Sequence, residues 1–181
     1  SKGAIYLGAH IGAWEVGAHI FSKYKKVMNV LMWDAEYQKI KELISKDKNA
    51  GYEIIFINKD SVEAILKIKS ALNNGDIVGI QADRYIDEKR KREVSFLGEM
   101  AEFPEGPFLL ASKLRAPVVI YFALREKMSY RFFFKVIDNT DKLQTKENEE
   151  KIFNEYLTLL EDVVRRYPQQ WFNFYPFWNK L

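Results

Sequence analysis

Six short apolar runs, Ala4 to Ala9, Val27 to Trp33, Tyr52 to Ile57, Ile77 to Ala82, Pro117 to Leu124 and Tyr130 to Ile137, alternate with segments of helical period. That alternation selects an α/β layer architecture over a bundle or a sandwich, because strands apolar on both faces must be covered by helices. The last two runs are separated only by Arg125-Glu126-Lys127-Met128-Ser129, too short for a crossover helix. An antiparallel hairpin on a mixed, mostly parallel sheet is therefore expected. Asp60-Ser61-Val62-Glu63 reads as a capping box opening a helix with Val62, Ile65, Leu66 and Leu72 inward and Gly75 as terminator. A long helix is predicted from Lys146 to Tyr167, followed by an aromatic tail, Trp171 to Trp178, whose expected role is packing.

With 181 residues, 48% of them apolar, one core can be filled, and no repeat or linker divides the chain, so residues 1–181 read as one domain. The lack of cysteine excludes disulfides, thiolate metal sites and a cysteine nucleophile. No apolar run is long enough to cross a bilayer, and the first residues lack the order of a signal peptide. The first strand begins almost at once, so we treat the chain as a candidate fragment lacking an N-terminal membrane-anchoring segment.

The first strand runs into Gly8-Ala9-His10-Ile11-Gly12-Ala13-Trp14-Glu15. A histidine at such a strand-to-helix turn can take a proton from a hydroxyl near neutral pH, and a carboxylate on its other ring nitrogen fixes the tautomer. This is the chemistry of acyl transfer to an alcohol. On a helix from Gly12 to Ser22, Ala13, Val16, Gly17, Ile20 and Phe21 form the apolar stripe and leave Glu15 and His19 on the other side. Glu15 is then free to face His10. Two other readings stand beside this one: His10 and Glu15 as helix-terminus residues, and His10, Glu15 and His19 as zinc ligands of a hydrolase, without the usual histidine spacing or an obvious fourth ligand.

Two further segments belong with the motif. Ile77 to Ala82 ends in Asp83-Arg84, and ligands of open α/β sheets collect at such strand ends, so Asp83 and Arg84 are expected to share a cleft with His10. Phe96-Leu97-Gly98-Glu99-Met100-Ala101-Glu102-Phe103-Pro104-Glu105-Gly106-Pro107 leads into a helical stretch, Phe108 to Leu114, as a turn where Gly98 and Gly106 permit close approach of a ligand to backbone amides. The basic residues Lys23, Lys25, Lys26 and the run Lys89 to Arg92, read as a loop, suit anionic headgroups or an acidic carrier protein. A net charge of only +3, with aromatics apart from the basic runs, gives no reason to expect specific nucleic-acid binding.

In this order and spacing the three segments resemble the lysophospholipid acyltransferase superfamily, and within it the lipid A biosynthesis late acyltransferases of lauroyl and myristoyl type. His10 and Glu15 match the superfamily's histidine-four-residues-acid motif. Phe103-Pro104-Glu105-Gly106 is similar to the phosphate loop of glycerolipid acyltransferases, but Pro107-Phe108 stands where Thr-Arg commonly follows. The lipid A branch is matched by Phe96, Gly98, Pro104, Gly106, Pro107, Leu110 and Ala111, and by the strand start Ala116-Pro117-Val118-Val119. The resemblance implies a glycerolipid-acyltransferase-like fold and His10 as general base oriented by Glu15; substrate contacts are expected from Asp83, Arg84, Gly98, Glu105 and Gly106. It implies no metal or cofactor, a donor that is acyl carrier protein or acyl coenzyme A, a membrane lipid acceptor, peripheral membrane contact, and the cytoplasmic face of the bacterial inner membrane. A catalytically inactive relative would show the same outline. Asp83-Arg84 replaces the usual Asp-Gln, and Asp34 to Lys39 lacks the usual arginine, so the acceptor is expected to be a lipid A precursor or a related amphiphile.

Overall fold

The computed structural model describes residues 3–33, 52–57, 62–85, 90–139, 145–174, 177 and 178. The six expected strands form one sheet: β1 (Ala4–Gly8), β2 (Met28–Trp33), β3 (Tyr52–Ile57), β4 (Ile77–Gln81) and, after a hairpin described below, β7 (Val118–Glu126) and β8 (Ser129–Ile137). Their order is β3-β2-β4-β1-β7-β8, parallel except for the β7–β8 hairpin. Among the described residues the α-helices are α1 (Glu15–Lys23), α2 (Val62–Asn73), α3 (Gly106–Leu114) and α4 (Thr145–Arg166).

Strand alternation sorts the layers. Ile5, Leu7, Val78, Ile80, Val118, Ile120 and Phe122 point to one face, where they share a core with α2, α3 and α4. On the other face Ala18 of α1 packs with Met28, Val30 and Ile77, and Phe21 meets the ring of Tyr6 edge-on. The chain thus leaves β1 towards one face and β4 towards the other, which opens a crevice between their carboxyl ends. Asn139, fully buried, donates to the carbonyls of Ala111 and Ala116 at 2.7 and 3.0 Å, tying the end of α3 to the strand that follows.

Three expectations are corrected. Helix α1 begins at Glu15 rather than Gly12, because Gly12 sits at φ +65° and bridges to Ala123 of β7. Helix α2 ends as expected at Gly75 (φ +79°), but it is turned differently about its axis. Ala64, Ile68, Ala71 and Leu72 face the sheet, while Val62, Ile65 and Leu66 are exposed. The capping residues Asp60 and Ser61 lie outside the described residues, as does the segment Asp34 to Lys39.

The third correction is a two-stranded antiparallel hairpin, β5 (Lys91–Phe96) and β6 (Glu99–Pro104), in the stretch read as a loop. Its basic residues are paired rather than solvated: Lys91 reaches Glu102 at 2.8 Å, and Arg92 reaches Glu149 and Glu150 of α4 at 2.5 and 2.7 Å while stacking over Phe153. The aromatic tail packs on this hairpin, with Phe177 against Phe96, Phe103 and Trp171.

Candidate active site

The pairing of β1 with β4 sets Gly8 opposite Gln81. Carried two residues further on each strand, the same register sets His10 beside Asp83. Asp83 grips this one residue twice: Oδ2 accepts the backbone N–H of His10 at 3.0 Å, and Oδ1 lies 2.8 Å from Nδ1 of its ring. A carboxylate can only accept here, so Nδ1 carries the proton and Nε2 of the neutral ring holds the lone pair. The Asp83 side chain is 1% exposed and that of His10 34%, so the acid is shut away from solvent while the base can be reached.

The support beneath this pair comes from distant parts of the chain. The Gly8 carbonyl accepts both Ala82 N–H at 3.0 Å and the hydroxyl of Tyr156 at 2.9 Å. Complete burial and the nearby Asp83 charge hold the Tyr156 hydroxyl far above its ordinary pKa, so it stays a donor. Beyond His10 the chain is clasped by the tail: Phe172 N–H donates to the His10 carbonyl at 2.8 Å, Gly12 N–H to Gln170 at 2.9 Å, and Ile11 bridges Trp171. Removing the Tyr156 hydroxyl as Tyr156→Phe leaves Gly8 one donor, and is expected to cost about 1 kcal/mol, or about 2–4 °C of melting temperature in a domain of this size. A melt unchanged from wild type would deny the bond its supporting role.

The other anticipated residues are distributed around this centre. Glu15 is exposed at the start of α1, and among the described residues it makes no hydrogen bond to His10; the ring position foreseen for it is taken by Asp83. Arg84 follows directly and donates from Nη2 to the Phe172 carbonyl at 2.5 Å, while its buried Nε has no partner. Gly98 (φ +92°) follows Leu97 (φ +58°) in the two-residue turn of the β5–β6 hairpin, a position that needs a left-handed residue. Glu105 and Gly106 open α3, and Glu105 lines a cavity of about 400 Å³ with Arg92, Lys146, Glu149 and Glu150. Burial outweighs Arg92 there and lifts Glu149 above its ordinary pKa. No hydrogen bond among the described residues joins Gly98, Glu105 or Gly106 to His10.

His19 is exposed on α1, and among the described residues no three His, Asp or Glu side chains converge as a metal site requires. Also among the described residues, no helix is long and apolar enough to cross a membrane. Tyr156, Gly12 and the Gln170–Phe172 clasp gave no signal in the sequence, since each acts through a backbone partner remote along the chain.

Among solved structures, a crystal structure of the pilus retraction motor PilT with bound ADP is similar at 8% identity and a TM-score of 0.36. The likeness covers 96% of this chain and 59% of that one, and is too weak to bear on fold or activity. Among curated proteins none matches. Residues 1–180 match the family of the bacterial lipid A biosynthesis acyltransferases. That match takes in the motif histidine, its buried acid and the hairpin with its proline-glycine exit, and the chain belongs to this family.

Proposed function

We propose that the chain transfers a fatty acyl group from a thioester, carried on acyl carrier protein or coenzyme A, to a hydroxyl of a lipid acceptor, with His10 as general base. What carries the reading is Asp83 on Nδ1 of His10, which leaves Nε2 as the proton acceptor, joined to membership of an acyltransferase family. The acceptor oxygen attacks the thioester carbonyl as Nε2 takes its proton. The tetrahedral intermediate then collapses, the carbon–sulfur bond breaks, and the imidazolium returns the proton to the departing thiolate. Asp83 stabilises the imidazolium without moving a proton, and Glu15, which makes no bond to the ring, is assigned a secondary part. Arg84, with Nε unpartnered, is assigned to a phosphate of donor or acceptor, for which a guanidinium offers a fork of donors. Gly98, Glu105 and Gly106 shape the hairpin and the start of α3 and are assigned to substrate contact rather than to proton transfer.

The acceptor class is a lipid A precursor or a related hydroxylated amphiphile, and the place of work the cytoplasmic face of the bacterial inner membrane. The test is transfer of label from radiolabelled acyl carrier protein and acyl coenzyme A into dispersed lipid acceptors. Label in lipid from either donor supports the reading; folded protein that labels no lipid from both donors removes it. In the same assay Glu15→Gln is expected to lose about tenfold, less than a group bonded to the ring would. A loss equal to that of the histidine variant would return the orienting role to Glu15.

A further inference from the structure

We infer that the uncovered outward face of β8, the edge strand of the sheet, is a docking surface for an anionic lipid bilayer, along which the acceptor reaches His10. The inference rests on the acyltransferase reading for its purpose, but on separate observations for its existence.

Antiparallel register puts Val119 with Val136, Tyr121 with Phe134, Ala123 with Phe132 and Arg125 with Tyr130, all on the face that carries α1. Among the described residues α1 is the one helix on that face; it packs over β1 and β2 and meets β7 where Gly17 faces the Tyr121 ring, and Ala123 is fully buried, so β7 is covered and β8 is not. Tyr130, Phe132, Phe134 and Val136 are left 43%, 39%, 66% and 62% exposed, a strip of four consecutive outward positions on one strand. The residues between them are occupied on the opposite face: Arg131 with Glu126, Lys135 with Glu155, and Phe133 with the Tyr167 ring. A continuous apolar strip beside a polar, satisfied reverse face marks an interaction surface rather than scattered exposure.

Charge selects the occupant. Arg125 and Lys127 stand at the turn end of the strip. Helix α1 starts where β1 ends and runs back towards the start of β2, so Lys23, Lys25 and Lys26 stand at the far end of the sheet, three strands across from β7. Among the described residues none of these five has an ion-pair partner, and the acids on the same face, Glu15 and Asp138, are fewer. A second copy laid against the strip would set cations against cations, whereas anionic headgroups neutralise them while the aromatic side chains enter the boundary with the acyl chains. The surface is also continuous with the site. Gln170, whose carbonyl accepts Gly12 N–H, holds Arg125 through N–H and carbonyl at 2.8 and 2.9 Å. Beside that clasp Met128 and Phe174 are 99% and 91% exposed, so the turn end of the strip is the end where His10 sits.

The test is flotation of the 181-residue chain with phosphatidylcholine vesicles, with and without phosphatidylglycerol, for wild type and Phe132→Ser/Phe134→Ser. Wild type is expected to float with the anionic vesicles, and the variant, with an unchanged melt, to bind at least about tenfold more weakly. Because the chain has no cysteine, single labels at Phe134→Cys and Lys113→Cys report depth: the first is expected at the acyl boundary, the second in water. Equal flotation of the variant, a water-exposed label at 134, or label-to-label contact between two copies without vesicles would each overturn the proposal. The variant should still acylate a detergent-dispersed acceptor while losing transfer to a vesicle-embedded one. If wild type acylates neither, the acyltransferase reading fails, and flotation still decides the surface.

Discussion

Acyl transfer by a His10→Ala variant is expected to fall by about a hundred- to ten-thousand-fold, and Asp83→Asn to fall nearly as far. The two losses have one cause. Asp83 offers an acceptor to the His10 backbone N–H and another to Nδ1–H. Asparagine has a single acceptor oxygen, so one partner must meet an NH₂ group. If the backbone keeps the oxygen, the amide donates to Nδ1 and drives the ring proton onto Nε2, the atom the mechanism needs bare. If the ring keeps the oxygen, the backbone N–H of the turn loses its partner and the imidazole its anchor. Each route disables the base without emptying the site. The double variant should therefore be no slower than His10→Ala alone, since residues acting as a unit are not additive. Single-turnover transfer of a labelled acyl group measures all three. Additive losses, or an Asp83→Asn enzyme close to wild type, would separate the two residues and defeat the assignment.

The sequence made the main sheet legible because its inner strands β1, β2, β4 and β7 are largely apolar on both faces and β8 is dense in aromatics, patterns that partly exposed loops do not sustain. The β5–β6 hairpin was illegible for the opposite reason. Its Lys91 and Arg92 carry the composition of a solvated loop, and their partners, Glu102, Glu149 and Glu150, are identified only once the chain is folded. The rotation of α2 failed on size: Val62, Ile65 and Leu66 are larger than Ala64 and Ala71, yet the alanines let the helix lie close on the sheet and are buried beside Ile68 and Leu72. His10 could be found because a histidine directly after a strand is a local signal. Asp83 could be found as a charge at a strand end. That the two touch depends on β4 lying next to β1, a strand order that local periodicity does not encode. Spacing along the chain favoured Glu15 as the orienting group; spacing across the sheet gives Asp83.

The second large effect is expected at Gly12, where alanine should destabilise the fold by about 3 kcal/mol or more, or roughly 6–12 °C of melting temperature. At φ +65° any side chain is strained, and a Cβ here would lie 2.0 Å from the Ala123 carbonyl oxygen and 3.1 Å from Leu124 Cδ1. The first of these is backbone and cannot swing aside. That same oxygen accepts Ala13 N–H at 2.8 Å, so relieving the clash pulls the turn off β7 and breaks the contact that closes it. The turn carries His10 two residues upstream, with its carbonyl fixed by Phe172 and its ring by Asp83. A shift of about 1 Å at a reacting base is worth about a hundredfold in rate, so transfer should collapse even in the fraction that stays folded. Gly106→Ala is the matched control, since nothing lies within 4 Å of its Cβ and its backbone is helical. Its melt should follow wild type. A Gly12→Ala chain that melts like the Gly106→Ala chain and transfers like wild type would mean that the turn tolerates a side chain and that His10 is not held by it.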